Sequence, residues 1–377
     1  RGDPAATSAT VRTEIKRELE ELAFAELNPD GRASVLARQD YLRERGERLV
    51  PQIEAELAKT LIAGGLPAQV SGREKTPYSI WRKMQTKNVS FEQLADIMAF
   101  RIIVADIAQP GGWMDLGDVD VVIHTAAMVG MPSQAEAFWR VNTLGTRHVL
   151  DAARRSGARR FVLLSSVTVF GNDFPDGVSE AYPTRPTAVP YADTKIAAEH
   201  LCLDEHIRSG IEVTIVRPGD VYGPRSRPWT LLPLQMIRSR RVAVPPTGIH
   251  SPVYVDDVVD GVIRAATVPQ AAGEIITLSG GVGVPTGEYF DHYARLLGRR
   301  SVPRVPRSVM LAAAGAQAGV ANRLGRTIEL SPAAVRYLAD RRGTYSIAKA
   351  ADLLDWRPAV GLHDGMARTA EWLRTEG

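Results

Sequence analysis

The chain has 377 residues, 45% of them apolar, and 46 basic against 43 acidic side chains for a net charge of +3. That is enough apolar chain for two ordinary domains, and the near-balance of charge excludes a dedicated nucleic-acid surface. Cys202 is the single cysteine, which excludes an intrachain disulfide and suits a reducing, cytoplasmic compartment.

The cluster Arg238-Ser239-Arg240-Arg241 reads as a solvated helix end. No apolar run is long enough to span a bilayer, so no membrane partner is expected. Val309–Val320 is short, Ala/Gly-rich and flanked by arginines, and reads as a packed or substrate-covering helix. No signal peptide opens the chain. It begins on Arg rather than Met, which suggests a fragment, a processed product or an artificial join.

In chain order, residues 1–10 are small and polar and read as disordered. Val11–Leu27 has helical periodicity, and Asn28-Pro29-Asp30-Gly31 is a turn signal. A second long helix is expected from about Ala33 to Ile62, broken near Pro51 and ended by Gly64-Gly65. Ala68–Val70 reads as a short strand and Ser71–Lys75 as a loop. Tyr78–Thr86 and Phe91–Met98 read as helices, and Phe100–Ile107 as a strand. From there strands and helices alternate: Val119–His124, Ala135–Ser156, Arg160–Ser165, Tyr191–Arg208 and Glu212–Arg217. Such alternation predicts an α/β fold, a doubly wound parallel sheet with helices on both faces. Beyond Pro224 the pattern loosens into Pro- and Arg-rich loops between helices, expected of a smaller substrate-binding part. The expected organisation is therefore 1–104, then 105–377, the latter split near residue 225.

Tyr191-Ala192-Asp193-Thr194-Lys195 places a phenol and an ammonium one helical turn apart. A free phenol, with a pKa of about 10, is a poor base at neutral pH, and a neighbouring cation favours its ionised form. Tyr191 is thus a candidate acid/base for a substrate hydroxyl. Taken alone the spacing also describes a surface Tyr–Lys pair. Company strengthens it: Ser165-Ser166-Val167-Thr168-Val169-Phe170-Gly171, Val122-Ile123-His124-Thr125-Ala126-Ala127 and Arg217-Pro218-Gly219-Asp220-Val221-Tyr222-Gly223-Pro224 each end a strand. Open α/β sheets bind ligands there.

With these motifs, the chain from about Ala105 onward resembles an extended short-chain dehydrogenase/reductase of the NAD-dependent epimerase/dehydratase group. The resemblance implies a Rossmann-like fold and an NAD- or NADP-dependent oxidoreductase or epimerase acting on a secondary alcohol, ketone or sugar carbon of a small-molecule substrate. It implies Tyr191 as acid/base and Lys195 as the group that lowers its pKa and holds the nicotinamide ribose. Ser166 would polarise the substrate oxygen, and Asn142 would order the lysine side through water. Thr125, Ala126 and Ala127 would line the cofactor, Asp106 and Ile107 would flank the adenine, and Pro218, Gly219 and Val221 would border the nicotinamide. A homodimer is compatible with the family. Relatives acting on nucleotide sugars often carry Arg where this chain has His250. That difference and the Ala-rich Pro303–Arg326 lean the substrate toward the less polar alcohols of the 3β-hydroxysteroid dehydrogenase-like branch.

The family begins with a strand, a GxxGxxG turn and a helix, and no such turn precedes Asp106. The usual first βαβ unit is missing, so the helix N-terminus that would meet the cofactor pyrophosphate is missing too. Impaired activity is therefore expected. A strand–helix–strand unit made of Ala68–Val70 and Phe100–Ile107 is a candidate to pair against Val119–His124 in its place.

What stands there instead is Ser71-Gly72-Arg73-Glu74-Lys75-Thr76-Pro77-Tyr78-Ser79-Ile80-Trp81-Arg82-Lys83-Met84, followed by Phe91–Val104. Arg73, Lys75, Ser79 and Lys83 suit a polyphosphate, though a solvated basic helix has the same charge. The full string over about residues 11–105 resembles the start of a RelA/SpoT-type (p)ppGpp synthetase. That resemblance implies Arg73, Lys75, Ser79 and Lys83 as ATP contacts and Asp96 as a Mg²⁺ ligand. The second half of that domain is absent, so the alternatives are a nucleotide-binding remnant or a non-catalytic chimera. His200, Cys202 and His206 lie close in sequence, but on a helix His200 and His206 point to well-separated faces, and no zinc site is expected.

Overall fold

The computed structural model describes residues 20–45, 49–63, 69–74, 76–87, 91, 98–103, 106–117, 119–130, 135–240, 242–323 and 331–375. The expected disorder at 1–10, the first half of the helix from Val11, Lys75 and Asp96 lie outside them. The chain divides into two compact units, Arg1–Asp106 with Arg374–Gly377, and Ile107–Leu373.

In the first unit residues 20–27 are helical, followed by α1 (Pro29–Arg45), α2 (Leu49–Ala63), β1 (Gln69–Glu74), α3 (Pro77–Lys87) and β2 (Met98–Ile103). Asn28-Pro29-Asp30-Gly31 is a helix start rather than a turn. The Asn28 side-chain oxygen accepts from Gly31 N at 3.1 Å, and Pro29 opens the first turn, where its missing N–H is not needed. Pro51, where a break was expected, sits in the first turn of α2. β1 and β2 pair antiparallel from Gln69 opposite Ile103 to Glu74 opposite Met98. Ser71–Glu74, read as a loop, is therefore strand. Its alternating register is longer than the apolar run that sequence inspection detects.

The second unit contains β3 (Val121–His124), α4 (Ala135–Phe138), α5 (Gly145–Arg155), β4 (Arg160–Leu164), α6 (Pro190–Ser209), β5 (Glu212–Pro218), β6 (Asp220–Tyr222) and α7 (Leu232–Arg238). It continues with β7 (Ile249–His250), β8 (Pro252–Tyr254), α8 (Val255–Thr267), β9 (Ile275–Leu278), β10 (Val284–Pro285) and α9 (Thr286–Leu296). α10 (Arg307–Arg323), α11 (Pro332–Asp340), α12 (Ala348–Leu354) and α13 (Leu362–Thr375) complete it.

Four strands form a parallel sheet in the order β3-β4-β5-β9. Its inner strands are apolar on both faces, as a covered parallel sheet requires. Val162, Val216, Ile276 and Leu278 pack with Val258, Val262, Ala265 and Trp356. The alternate residues Phe161, Leu163, Val213 and Ile215 pack with Val149, Leu150, Ala198 and Cys202 on the other face. This is the Rossmann-like fold without its first βαβ unit. Among the described residues β3 has a strand partner only in β4, because β1 and β2 pair with one another. The segments expected to form a strand–helix–strand replacement pair antiparallel with one another.

The C-terminal part returns to the sheet's carboxyl end. Thr344 N donates to Asp176 Oδ1 at 2.8 Å, Val178 N to Thr344 O at 3.1 Å and Ser346 N to Val178 O at 2.9 Å. The Tyr345 ring stacks on Phe170 and lies against Phe174, with centroids 5.8 and 5.0 Å apart. That contact pins the turn that follows Ser166.

Candidate active site

Ser166 leaves β4 in extended conformation and caps the 3-10 turn Val167–Phe170, its Oγ accepting from Thr168 N at 3.2 Å. The cap holds the hydroxyl in place, and its influence on the Tyr191 phenol favours the ionised form. Burial raises the pKa of Tyr191 above the ordinary phenol value, and the Ser166 hydroxyl acts against that rise. Tyr191 lies in the first turn of α6, which Pro190 opens.

Lys195 stands one turn further along α6 and is buried. Its Nζ donates to the carbonyl of Leu164, the last residue of β4, at 2.7 Å. Burial pulls its pKa down to about 8, with Glu199 and Cys202 acting in the other direction. In this arrangement the ammonium binds the strand end, and Ser166 is the group acting on the phenol.

Asn142 is buried in a π-helical segment, Trp139–Leu144, between α4 and α5. The widened turn closes with Gly145 N donating to Arg140 O. Gly145 is required there, since a Cβ would stand 2.9 Å from the Ile107 side chain. The Asn142 amide is fully used: Oδ1 accepts from Met128 N at 2.7 Å, and Nδ2 donates to Met128 O and Thr194 Oγ1, each at 3.1 Å. Asn142 therefore ties the loop after β3 to α6 directly, beside the lysine. His124, at the end of β3, meets Thr146 Oγ1 at 3.0 Å. Burial and the Lys195 charge lower its pKa to about 4, so the ring is neutral at neutral pH.

Among the cofactor residues expected from sequence, Thr125 and Ala126 are exposed and Ala127 half-buried at the end of β3. Pro218 ends β5 and is buried; Val221 lies in β6 and packs on the apolar core. Gly219 has its carboxyl-end position for a packing reason: a Cβ would come within 2.5 Å of the Ser251 carbonyl. Ile107 packs against α5, and its carbonyl is bonded to His148 Nδ1 at 2.8 Å. Asp106 is exposed. In the first unit Arg73 lies in β1, Lys83 in α3, and Ser79 is exposed on α3 with its hydroxyl accepting from Thr76 Oγ1 at 3.0 Å. Among the described residues no three metal-type side chains come together, and Cys202 is buried while His206 bonds Ile211 O.

Two buried networks escaped the sequence reading. Glu199, one turn past Lys195, accepts from Ser165 Oγ at 2.5 Å and from Arg217 Nε and Nη2 at 2.9 and 2.6 Å. The i, i+4, i+8 spacing of Tyr191, Lys195 and Glu199 on one helix was the signal available for it. In the second network Asp220 accepts from Arg341 Nη1 and Nη2 at 3.0 and 2.8 Å, from Tyr337 Oη at 2.7 Å and from Ser251 N at 3.0 Å. His250 Nδ1 lies 3.1 Å from it. Burial opposes ionisation of Asp220, but Arg341 and His250 override it and hold the carboxyl well below the usual range. His250 is fully buried against the Tyr289 ring, and its Nε2 has no hydrogen-bond partner.

Comparison with known proteins agrees with this geometry. The NAD dependent epimerase/dehydratase family profile matches residues 71–278, more than half of the chain. The chain belongs to this family. A dTDP-glucose 4,6-dehydratase of Streptomyces griseus is 30% identical over 286 residues, covering 72% of this chain and 77% of that protein. MoeE5, solved in complex with UDP-glucose and NAD, superposes with a TM-score of 0.57 at 25% identity, over 72% of this chain and 85% of that one. The N-terminal segment is RelA/SpoT-like. The GTP pyrophosphokinase rsh of Brucella ovis is 44% identical over 91 residues, 24% of this chain but only 12% of that protein.

The epimerase/dehydratase family implies NAD, and the residues present suit only one end of it. Small side chains at the end of β3 and the Ser166–Tyr191–Lys195 group suit the nicotinamide end. Among the described residues there is no glycine turn between a strand and a helix for the pyrophosphate: Gly72 lies within β1 opposite Phe100, and α3 opens on Pro77. The described residues do not fit the pyrophosphate end of the cofactor. Among the described residues no helix is long and apolar enough to cross a membrane.

Proposed function

We propose that this chain carries the acid/base half of a dehydratase- or epimerase-type reaction on a nucleotide-linked sugar, with a weakened hold on the dinucleotide. The observation that carries it is the placement of Ser166 at the carboxyl end of β4 beside an α6 that bears Tyr191 and, one turn on, a buried Lys195 whose Nζ is held by the Leu164 carbonyl. A substrate hydroxyl placed between Ser166 and Tyr191 exchanges its proton with Tyr191 while Ser166 orients its oxygen. The nucleotide-sugar assignment draws on the Streptomyces griseus dehydratase and on the UDP-glucose held by MoeE5. Weak cofactor binding draws on the missing glycine turn. NAD and NADP are both candidates.

A second reading rests on the 44% identity to rsh. In it Arg73, Lys75, Ser79 and Lys83 contact ATP, Asp96 contributes to Mg²⁺, and the segment is a nucleotide-binding remnant.

Calorimetric titration with NAD, NADP and ATP–Mg²⁺ tests these readings together. The first expects NAD or NADP at a dissociation constant of about 1 mM, a free energy of about −4 kcal/mol. Sub-micromolar binding overturns the impairment. ATP–Mg²⁺ bound tightly, with no dinucleotide bound, supports the remnant. No binding of any of the three supports a non-catalytic chimera.

A further inference from the structure

Glu199 is 2% exposed in the middle of α6. Its carboxylate is clamped from two strands: by Ser165, just past the end of β4, and by Arg217, near the end of β5. Arg217 is itself laid over the Phe170 ring, 4.8 Å from its centroid. Ser165 precedes the Ser166 that acts on Tyr191, and Leu164, just before it, accepts the Lys195 ammonium. One carboxylate thus joins the ends of β4 and β5 to the helix bearing Tyr191 and Lys195.

We propose that Glu199 is a positioning residue for proton transfer at Tyr191: clamped by Ser165 and Arg217, it fixes the Ser166 turn against α6 and supplies the counter-charge for the Lys195 ammonium. The inference rests on the acid/base reading of Tyr191 above. The titratable and charged groups near this stretch of α6 are Cys202 and Glu205 further along it, His124 at the end of β3 and Arg217 near the end of β5. Burial keeps the Cys202 thiol neutral, and His124 is neutral at neutral pH. Glu205 is taken up by Arg147 and Arg154, at 3.4 and 3.7 Å. Glu199, one helical turn from Lys195, is the anion whose influence favours a protonated Lys195 even while paired with Arg217.

The test needs no turnover and no cofactor. The protein is labelled with ¹³Cε-lysine, the Lys195 resonance is assigned by its loss in Lys195→Arg, and its titration midpoint is followed by NMR. The wild-type midpoint is expected near 8. In Glu199→Gln it should fall by one unit or more, a tenfold loss of proton affinity. In Glu199→Asp, which keeps the charge, it should return to within half a unit. Should Glu199→Gln fail to fold, Glu199→Gln with Arg217→Met leaves no unpaired buried guanidinium, and a smaller fall is expected because a cation is removed with the anion. An unchanged midpoint in either folded variant overturns the proposal. Dinucleotide titration of the same samples reports separately on the acid/base reading, because the lysine midpoint does not depend on it.

Discussion

Asp220→Asn is the sharpest perturbation of the second unit. The side chain keeps its shape, loses its charge, and turns one acceptor into a donor. In the wild type five groups converge on this carboxylate: two Arg341 nitrogens, Tyr337 Oη, Ser251 N and His250 Nδ1. Arg341 is fully buried, so the variant leaves a guanidinium with no counter-charge. Breaking a buried pair by removing one partner costs about 3–5 kcal/mol. The amide oxygen retains the Tyr337 hydroxyl, which puts the expected loss at the lower end, about 3 kcal/mol. At about 2–4 °C per kcal/mol for a unit of this size, the midpoint should fall by about 6–12 °C. The assay is thermal and urea unfolding followed by tryptophan fluorescence; the Trp229 ring lies 5.0 Å from His250 and reports on this region. Adding Arg341→Met removes the orphaned charge and should recover more than about 1 kcal/mol of the loss. A loss under about 1 kcal/mol in the single variant, or strict additivity in the double, would refute the counter-charge reasoning.

Two further outcomes are expected. Gly219→Ala places a Cβ 2.5 Å from the Ser251 carbonyl, which Asp220 N already binds, and 3.2 Å from the Cβ of Ser279, the residue after β9. It should destabilise by about 1–3 kcal/mol in urea unfolding, and a neutral result would show that the strand ends yield. His124 titrates near 4 when folded and near 6.5 when unfolded, so between those values the unfolded chain binds the extra proton. Stability should therefore fall as pH drops from 6.5 to 4, by up to about 3 kcal/mol from this ring, and His124→Gln should flatten that slope. A slope identical in wild type and variant counts against a neutral, buried His124.

The parallel sheet and the YxxxK helix were legible because their signals are local. Branched runs at Phe161–Leu163 and Val213–Val216, a proline opening α6 and a four-residue spacing need no knowledge of distant chain. The Asn28 start of α1 was misread because asparagine followed by proline marks turns and helix caps alike. Ser71–Glu74 was misread because a two-stranded ribbon need not carry an apolar run; its register depends on Met98–Ile103. The buried networks were the least visible. Arg341 meets Asp220 from 121 residues away and Arg217 meets Glu199 across a helix–strand connection. Each of these residues looks, in its own window, like an ordinary charged side chain, and only burial reveals that it must be paired.

The strap formed by residues 344–346 has a consequence for the order of synthesis. A ribosome adds about 5–20 residues per second, so some 8 to 33 s separate Val178 from its bridge partner Tyr345. Early in that interval Tyr191 and Lys195 join Ser166, but the aromatic ring that later covers Phe170 and Phe174 is not yet made. The emerging chain exposes that apolar turn until about its last tenth arrives. A chaperone that shields Phe170 and Phe174 during this window would raise the yield of folded protein without touching any residue of the finished site.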